Sequence, residues 1–241
     1  MQTVSATYES ILNGEHWAEC KVTIVDDLGV TQDVSETELF SVQIKEGALD
    51  NHFALGNAIS SEINIVMIDP GEEWTPATMG QIRVYVRICN DTQQSEWLPK
   101  GVFYIDTREK DRSVGDLNLL KLHGYDAMLM TEQDYPETSW NTKSDYNVVK
   151  EICTYLGWTL ESGTDTFFQT TRAGYVLPTP YNYSIREVLQ SIAAVNCGNF
   201  VMDEEGKLKL IRFNALPTET YYLITPAGSY ITIGGDRIVL Q

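Results

Sequence analysis

The sequence predicts an α+β protein, mostly β, whose first half is an antiparallel β-barrel or sandwich. Three observations lead to this fold class. Apolar and polar residues alternate with a period of two in several short segments of residues 1–127. The apolar period then lengthens to that of an α-helix between residues 145 and 197. Alternating segments return after residue 198, so the helices are inserted between two β-rich regions.

The first half contains one predicted helix and six predicted strands. Residues 6–12 form a short helix that Gly14 ends. Residues 81–88 give the clearest strand, because Ile82 and Val84 face one side while Arg83 faces the other. The other predicted strands are separated by turn-forming segments, and they are 20–25, 37–44, 61–68, 101–106 and 116–123.

Two helices are predicted where the period changes. Residues 145–156 place apolar side chains at helical spacing, and Gly157 is a suitable residue to end that helix. The second helix, 185–197, follows Ser184, which forms a capping box with Glu187.

The remaining segments are predicted to be loops and strands. Residues 158–183, between the helices, are expected to be a loop with one or two short strands. Residues 199–203 and 207–213 form a hairpin. In the tail we expect strands 221–224 and 229–233 around a turn at 226–228, a tight turn or bulge at Gly234-Gly235, and a strand-like end at 237–240 that suggests a longer chain or completion by a neighbour.

The charge balance excludes several classes of partner. The chain has 34 acidic and 17 basic residues, giving a net charge of −17. Tight nucleic-acid binding requires clustered Lys and Arg, and the densest basic stretch, Arg108 to Arg112, is interrupted by Glu109 and Asp111. Anionic membranes are disfavoured for the same reason. The N-terminus does not resemble a signal peptide, and no apolar run is long enough to insert into a membrane.

No catalytic, cofactor-binding or metal-binding residue is predicted. Neither a phosphate-binding loop, nor a nucleophile elbow, nor a zinc-binding pattern occurs in the sequence. Of the histidines His16, His52 and His123, we interpret His123 as structural and His16 as a capping or packing residue. Glycosidase chemistry would need a carboxylate in an apolar pocket. The adjacent acidic pairs lie in predicted turns and are expected to be solvated; they are Asp26-Asp27, Glu72-Glu73 and Glu204-Glu205.

Cysteine and tryptophan are interpreted as packing residues. Cys20, Cys89, Cys153 and Cys197 form no CxxC pair, and we expect reduced thiols, with Cys153 and Cys197 buried on helix faces. The five tryptophans are expected to plug the ends of the barrel or to anchor interfaces rather than bind sugars, and they are Trp17, Trp74, Trp97, Trp140 and Trp158.

The order of several segments resembles a known family. The helix at 6–12, the strand with Val22 and Ile24, and the strands SSEINIVMI and QIRVYVRI lead to EWLPKGVFYID at 96–106 and LLKLHGYDAMLMTEQDY at 119–135. This order resembles tail proteins of phages and prophages of Gram-positive bacteria, of the baseplate-hub or tail-associated hub type.

The resemblance implies a hub-like architecture. Residues 1–127 would be a β-barrel tube-like domain, 128–198 an α/β insertion domain, and 199–241 the start of a second tube-like domain. It further implies a homotrimeric ring in the virion tail, assembled in the host cytoplasm. The implied partners are distal tail, tape measure, and tip or spike proteins. DNA would pass through the ring without tight binding.

Two alternatives remain open at this point. The chain could be the N-terminal part of a tail-associated cell-wall hydrolase, which requires a cleft with converging polar groups. It could also be a carbohydrate-binding receptor module, which requires a shallow groove floored by aromatic rings.

Overall fold

A computed structural model describes residues 4–47, 55–114, 117–136, 143–171, 176–177 and 182–213, together with four two-residue strands between 221 and 240. The chain divides into two compact units, residues 1–211 and 212–241.

The first unit is built on one large antiparallel sheet. Seven strands lie in the order β2-β1-β5-β6-β7-β4-β3, and a short helix, α1 (Ala6–Leu12), precedes them. The predicted helix and all six predicted strands are confirmed, and β2 is an additional strand. The strands are β1 (Trp17–Val25), β2 (Thr31–Val34), β3 (Leu39–Lys45), β4 (Glu62–Ile68), β5 (Gln81–Cys89), β6 (Leu98–Val114) and β7 (Leu117–Asp126).

The sheet is open, which corrects the expectation of a closed barrel. Among the described residues, β2 pairs only with β1, and β3 pairs only with β4. A barrel would require these two edges to pair with each other. Because β2 is four residues long, it offers few backbone groups for that pairing. The closed form of the predicted barrel is therefore wrong, whereas the antiparallel sheet is confirmed.

One face of the sheet carries the first hydrophobic core. Alternating residues of six strands are buried there, as period-two strands require. They are Val22, Ile24, Val34, Ile63, Ile65, Met67, Ile82, Val84, Phe103, Ile105, Leu120 and Leu122.

A helical lobe follows β7 through a 3₁₀ helix at Ala127–Glu132. Helices α2 (Asp145–Leu156) and α4 (Ile185–Val195) confirm the two predictions, and Gly157 ends α2 in the left-handed conformation with φ 70°. Ser184 and Glu187 form the predicted capping box. The lobe has its own core, which includes Val148, Val149, Ile152, Leu189, Ile192, Phe200 and Leu208.

A third helix, α3 (Ser162–Thr171), contradicts the predicted loop at 158–183. Glu161 stabilises its start, because its carboxylate accepts hydrogen bonds from the N–H groups of Gly163 (2.9 Å) and Thr164 (2.8 Å). Phe168 of this helix is buried in the core of the lobe. Two short strands, β8 (Lys143–Ser144) and β9 (Val176–Leu177), pair nearby.

The predicted hairpin after α4 is confirmed as β10 (Gly198–Met202) and β11 (Leu208–Arg212). In the second unit, β12 (Tyr221–Tyr222) pairs with β15 (Val239–Leu240), and β13 (Thr232–Ile233) pairs with β14 (Asp236–Arg237). The predicted turn at 226–228 and the Gly234-Gly235 pair lie outside the described residues.

Candidate functional site

The acidic pairs lie in separate turns, and one member differs from its prediction. Asp26 is buried instead of solvated. Its carboxylate accepts hydrogen bonds from the N–H groups of Leu28 (3.0 Å) and Val30 (2.7 Å) and from the amide of Gln32 (2.8 Å). The bond from Gln32, aided by these backbone donors, lowers the pKa of Asp26. Asp26 therefore shapes the turn between β1 and β2. The other five members of the pairs are exposed, as predicted.

All four cysteines are free, as expected. Cys153 is buried, and desolvation raises the pKa of its thiol to about 11. Cys197 is exposed, which corrects the prediction that it is buried. The reason is that α4 ends at Val195, so Cys197 lies in the following turn with a positive φ of 50°.

The two described histidines make local contacts. The ring of His123 contacts Tyr125 edge-on, with 4.8 Å between centroids, and lies 3.7 Å from the Asp106 carboxylate. His16 Nδ1 lies 2.9 Å from the carbonyl oxygen of Gly14. His52 lies outside the described residues. Among the described residues, no group of three or more His, Cys, Asp or Glu is placed to hold a metal ion.

The tryptophans divide into plugs and surface residues. Trp74 packs on the sheet core and Trp158 packs on the lobe core. Trp17 is 48% exposed. Trp97 is half-buried, and the Arg87 guanidinium lies 4.4 Å from the centroid of its ring. Trp140 lies outside the described residues.

The most distinctive surface is the edge of the sheet at β3. This strand is seven residues long, and its only charged residue is Lys45 at its end. A β-bulge between Leu39 and Ser41 leaves Phe40 55% exposed. Edge strands of monomeric proteins are normally protected by charge, proline or a cover. Within the part of the chain that the structure describes, nothing pairs with the outer side of β3.

An apolar cavity, called the seam below, lies beside this edge. In a closed barrel, strand pairing would leave no such gap. The seam is a cavity of about 460 Å³ between β3 and the strands β1 and β5. Cys20, Val42 and Ile44 pack against the sheet core from positions that are only half-buried. No residue that lines the seam is charged, and its walls are Cys20, Leu39, Phe40, Ser41, Val42, Ile44, Val84 and Val86.

The opposite edge of the sheet has a different character. Strand β2 is short and polar, and Lys21 of β1 forms an ion pair with Asp33 at 3.1 Å. The turn before it exposes two apolar side chains, Leu28 (85% exposed) and Val30 (52% exposed). The two edges of the sheet therefore differ in length and polarity.

A polar junction joins the sheet to the helical lobe. Asp126, buried at the end of β7, accepts hydrogen bonds from Ser60 Oγ (2.9 Å), the N–H of Ser61 (2.7 Å) and the N–H of Met128 (3.0 Å). Burial raises the pKa of Asp126, against the opposing effect of these donors. Arg186 of α4 donates to the carbonyl oxygens of Ala58 (3.0 Å) and Met128 (2.9 Å).

The junction was not found from the sequence. Asp126 lies in the GYDAM segment, where an Asp directly before a helix is an N-cap signal.

No helix of the described residues is long and apolar enough to cross a membrane.

Comparison with known proteins identifies similar folds but no sequence relatives. No model of a known protein family matches the chain, and no curated protein matches it significantly in sequence. A tail protein from Neisseria meningitidis MC58 is similar with a TM-score of 0.51 and 12% identity, over 83% of this chain and 53% of that chain.

Two other solved structures have lower scores. The 43 kDa tail protein of prophage MuSo2 from Shewanella oneidensis gives a TM-score of 0.49 at 11% identity, over 80% of this chain and 56% of that chain. The Francisella PdpA–VgrG complex gives 0.44 at 10%, over 80% and 31%. The chain thus spans about half the length of the two tail proteins. The similarity to the Neisseria protein concerns the fold alone.

Proposed function

We propose that the chain is a structural module of a bacteriophage or prophage tail, at the tail tip or baseplate hub, where copies form a ring that joins the tail tube to the tip. The open edge of β3 with its apolar seam carries this proposal. A long edge strand with one terminal charge offers unpaired backbone groups to another chain. The seam beside it offers apolar surface for the side chains of that chain.

The similarity of fold to the Neisseria tail protein supports a role in a tail. It agrees with the resemblance in segment order to hub proteins of Gram-positive phages. Both lines of support concern architecture. They favour a structural role without catalysis over the alternative of a cell-wall hydrolase.

The difference between the two edges supports a ring. Strand β3 is long and apolar, whereas β2 is short and polar. A contact between unlike edges is head-to-tail, and head-to-tail contacts close into rings when the rotation allows it. We propose a homotrimer with a tube-like domain at 1–127, an insertion domain at 128–198 and a second tube-like region beginning at 199. The separate cores of the sheet and the lobe support a division near residue 127.

The proposed partners follow from this position in a tail. Distal tail, tape measure, and tip or spike proteins would contact the ring in the virion. With a net charge of −17, the chain would let DNA pass without binding it tightly.

The test is assembly in solution by the full chain. We expect light scattering after size-exclusion chromatography to detect trimers as the concentration rises, and negative-stain images to contain rings. Val42→Lys places a charge in the seam, so we expect it to weaken association by at least about tenfold. Thr107→Lys introduces the same charge on the central strand β6, where the side chain is exposed, and should leave association unchanged.

Two outcomes would contradict the proposal. A chain that stays monomeric at all concentrations would exclude the homotrimer. Equal association of the Val42→Lys variant and the unmodified chain would remove the β3 edge from the interface.

A further inference from the structure

A groove on the outer face of the sheet indicates a function in addition to the proposed role in assembly. It lies across β1, β2 and β5, on the side opposite the sheet core, and encloses about 360 Å³. This volume falls within the usual range for small-molecule sites. The groove is lined by Lys21, Thr31, Gln81, Arg83, Tyr85 and Trp97 among others.

Arg83 is the central cation of this groove. Its side chain is exposed, and its Nε donates a hydrogen bond to Gln81 Oε1 at 2.8 Å. That bond orients the guanidinium. Among the described residues, no acidic group lies within ion-pair distance of Arg83. Its two terminal nitrogens therefore remain free to donate together to one carboxylate or phosphate.

An aromatic wall stands beside this cation. Arg87 lies over the Trp97 ring at 4.4 Å and is itself held by Glu19, whose Oε2 is 2.6 Å from Arg87 Nη2. These contacts fix the indole. Tyr85 lies directly opposite Lys21 on the neighbouring strand. An aromatic face is electronegative and attracts the positively polarised hydrogens of a ring packed on it.

The charge of the groove contrasts with that of the chain. Lys21, Arg83 and Arg87 bring three cations to one small area of a protein whose net charge is −17. Asp33 and Glu19 neutralise two of them, and Arg83 is left over. This excess favours an anionic ligand.

The backbone beneath the groove excludes one mode of recognition. Strand β1 is paired on both sides by β2 and β5 over Val22–Ile24, and β5 is paired on both sides by β1 and β6 over Ile82–Val86. An extended peptide could not add to these strands, because their hydrogen-bonding groups face one another. A ligand in the groove must be recognised by side chains alone, which favours a ring with polar substituents over a peptide.

We propose that this groove binds an acidic oligosaccharide. The carboxylate or phosphate of the sugar is held by the free nitrogens of Arg83. The C–H face of the sugar ring packs on Trp97 and Tyr85, and Gln81 and Thr31 hydrogen-bond to its hydroxyl groups. The site is on the sheet face, so its occupation does not depend on ring formation through the edges.

The test follows the tryptophan indole N–H signals of the ¹⁵N-labelled full chain during titration. Trigalacturonic acid is the carboxylate probe, its fully methyl-esterified form is the matched neutral probe, and glucose 1-phosphate is the phosphate probe. We expect trigalacturonic acid to shift the Trp97 signal, assigned with Trp97→Phe, and the neutral ester to bind at least about tenfold more weakly. A shift by glucose 1-phosphate alone would identify phosphate as the recognised group.

Two variants of Arg83 and one control distinguish the paired nitrogens of the guanidinium from its charge. Arg83→Ala should weaken binding at least about tenfold, and Arg83→Lys should give an intermediate loss because it keeps the charge without the paired nitrogens. Lys150→Ala removes one exposed cation from α2, away from the groove, and should bind as the unmodified chain does. Because Arg83 is exposed, its variants should retain the dispersed spectrum of the folded chain.

Three results would overturn the proposal. The first is no shift of Trp97 with any probe at about 10 mM. The second is unchanged binding by Arg83→Ala. The third is binding of an alternating Gly-Glu peptide as tight as that of the acidic sugar, which would make the groove a site for acidic polypeptide.

Discussion

The sheet and the helical lobe differ in how the backbone groups at the ends or edges of their elements are hydrogen-bonded. In the lobe, the ends of the helices are closed locally: Ser144 and Ser184 cap α2 and α4, and Gly157 ends α2. In the sheet, the edge strands leave their outer backbone groups without a strand partner among the described residues. Both regions have buried cores. The difference shows that local side chains and glycine close the helix ends, whereas backbone groups at the sheet edges remain without a strand partner among the described residues.

The largest expected effects come from truncating the two cores. Phe200 in the lobe and Phe103 in the sheet are 0% and 2% exposed. We expect Phe200→Ala and Phe103→Ala each to lower the free energy of unfolding by about 3–5 kcal/mol. Urea unfolding followed by far-ultraviolet circular dichroism and by tryptophan fluorescence measures both. Leu12→Ala is the control, because Leu12 is 51% exposed on α1 and should change stability by less than about 0.5 kcal/mol.

The same experiment tests whether the two cores form one cooperative unit. If the junction at Asp126 couples them, both signals shift together in each variant. Two separate transitions, each sensitive to one substitution only, would mean that the sheet and the lobe unfold independently, as two domains do.

A smaller effect is expected at the junction itself. Asp126→Asn keeps one oxygen for Ser60 and Met128 but turns an N–H₂ group toward the N–H of Ser61. A buried donor without an acceptor costs about 1–3 kcal/mol. Thermal unfolding at neutral pH measures this loss, and unchanged stability would show that the junction does not hold the lobe to the sheet.

The dependence on pH distinguishes Asp126 from Asp26. The pKa of Asp126 is raised by burial, so the folded chain binds that proton more tightly than the unfolded chain. Its contribution to stability is therefore present at low pH and is lost as pH rises through its folded pKa, above the ordinary 3.8. The pKa of Asp26 is lowered, so its contribution is present above 3.8 and is lost as pH falls. The cost of Asp126→Asn should widen on acidification, and that of Asp26→Asn should shrink.

Most strands and two of the helices could be predicted because their apolar residues recur at a regular spacing. Alternation marked the half-buried strands, and the capping box of Ser184 and Glu187 marked the start of α4. Helix α3 was missed because its Gly, Thr and Ser residues have low helix propensity, and because its apolar residues, Phe167 and Phe168, are adjacent and give no helical period. Strand β6 was predicted too short, because beyond Tyr104 it pairs with β7 but not with β5, and its charged residues do not alternate with apolar ones.

The open edge and the groove could not be predicted, because both depend on which strands become neighbours. Alternation shows that Arg83 and Tyr85 share a face, but not that Lys21 lies opposite Tyr85. Likewise, the sequence of β3 is that of an ordinary half-buried strand. Only the strand order makes it an edge.

The smallest effect tests the local closure of the lobe. Ser184 Oγ accepts a hydrogen bond from the N–H of Glu187 at 3.2 Å, and the Glu187 carboxylate accepts from the N–H of Ser184 at 2.8 Å. Removing such a cap costs about 1 kcal/mol, so Ser184→Ala should lower the free energy of unfolding by that amount in urea titration. Ser191→Ala is the control on the same helix, because the exposed Ser191 hydroxyl donates to the Glu187 carbonyl and alanine is the better helix former. Equal losses from both substitutions would mean that the cap does not stabilise α4, and the lobe would then depend on packing alone, as the sheet does.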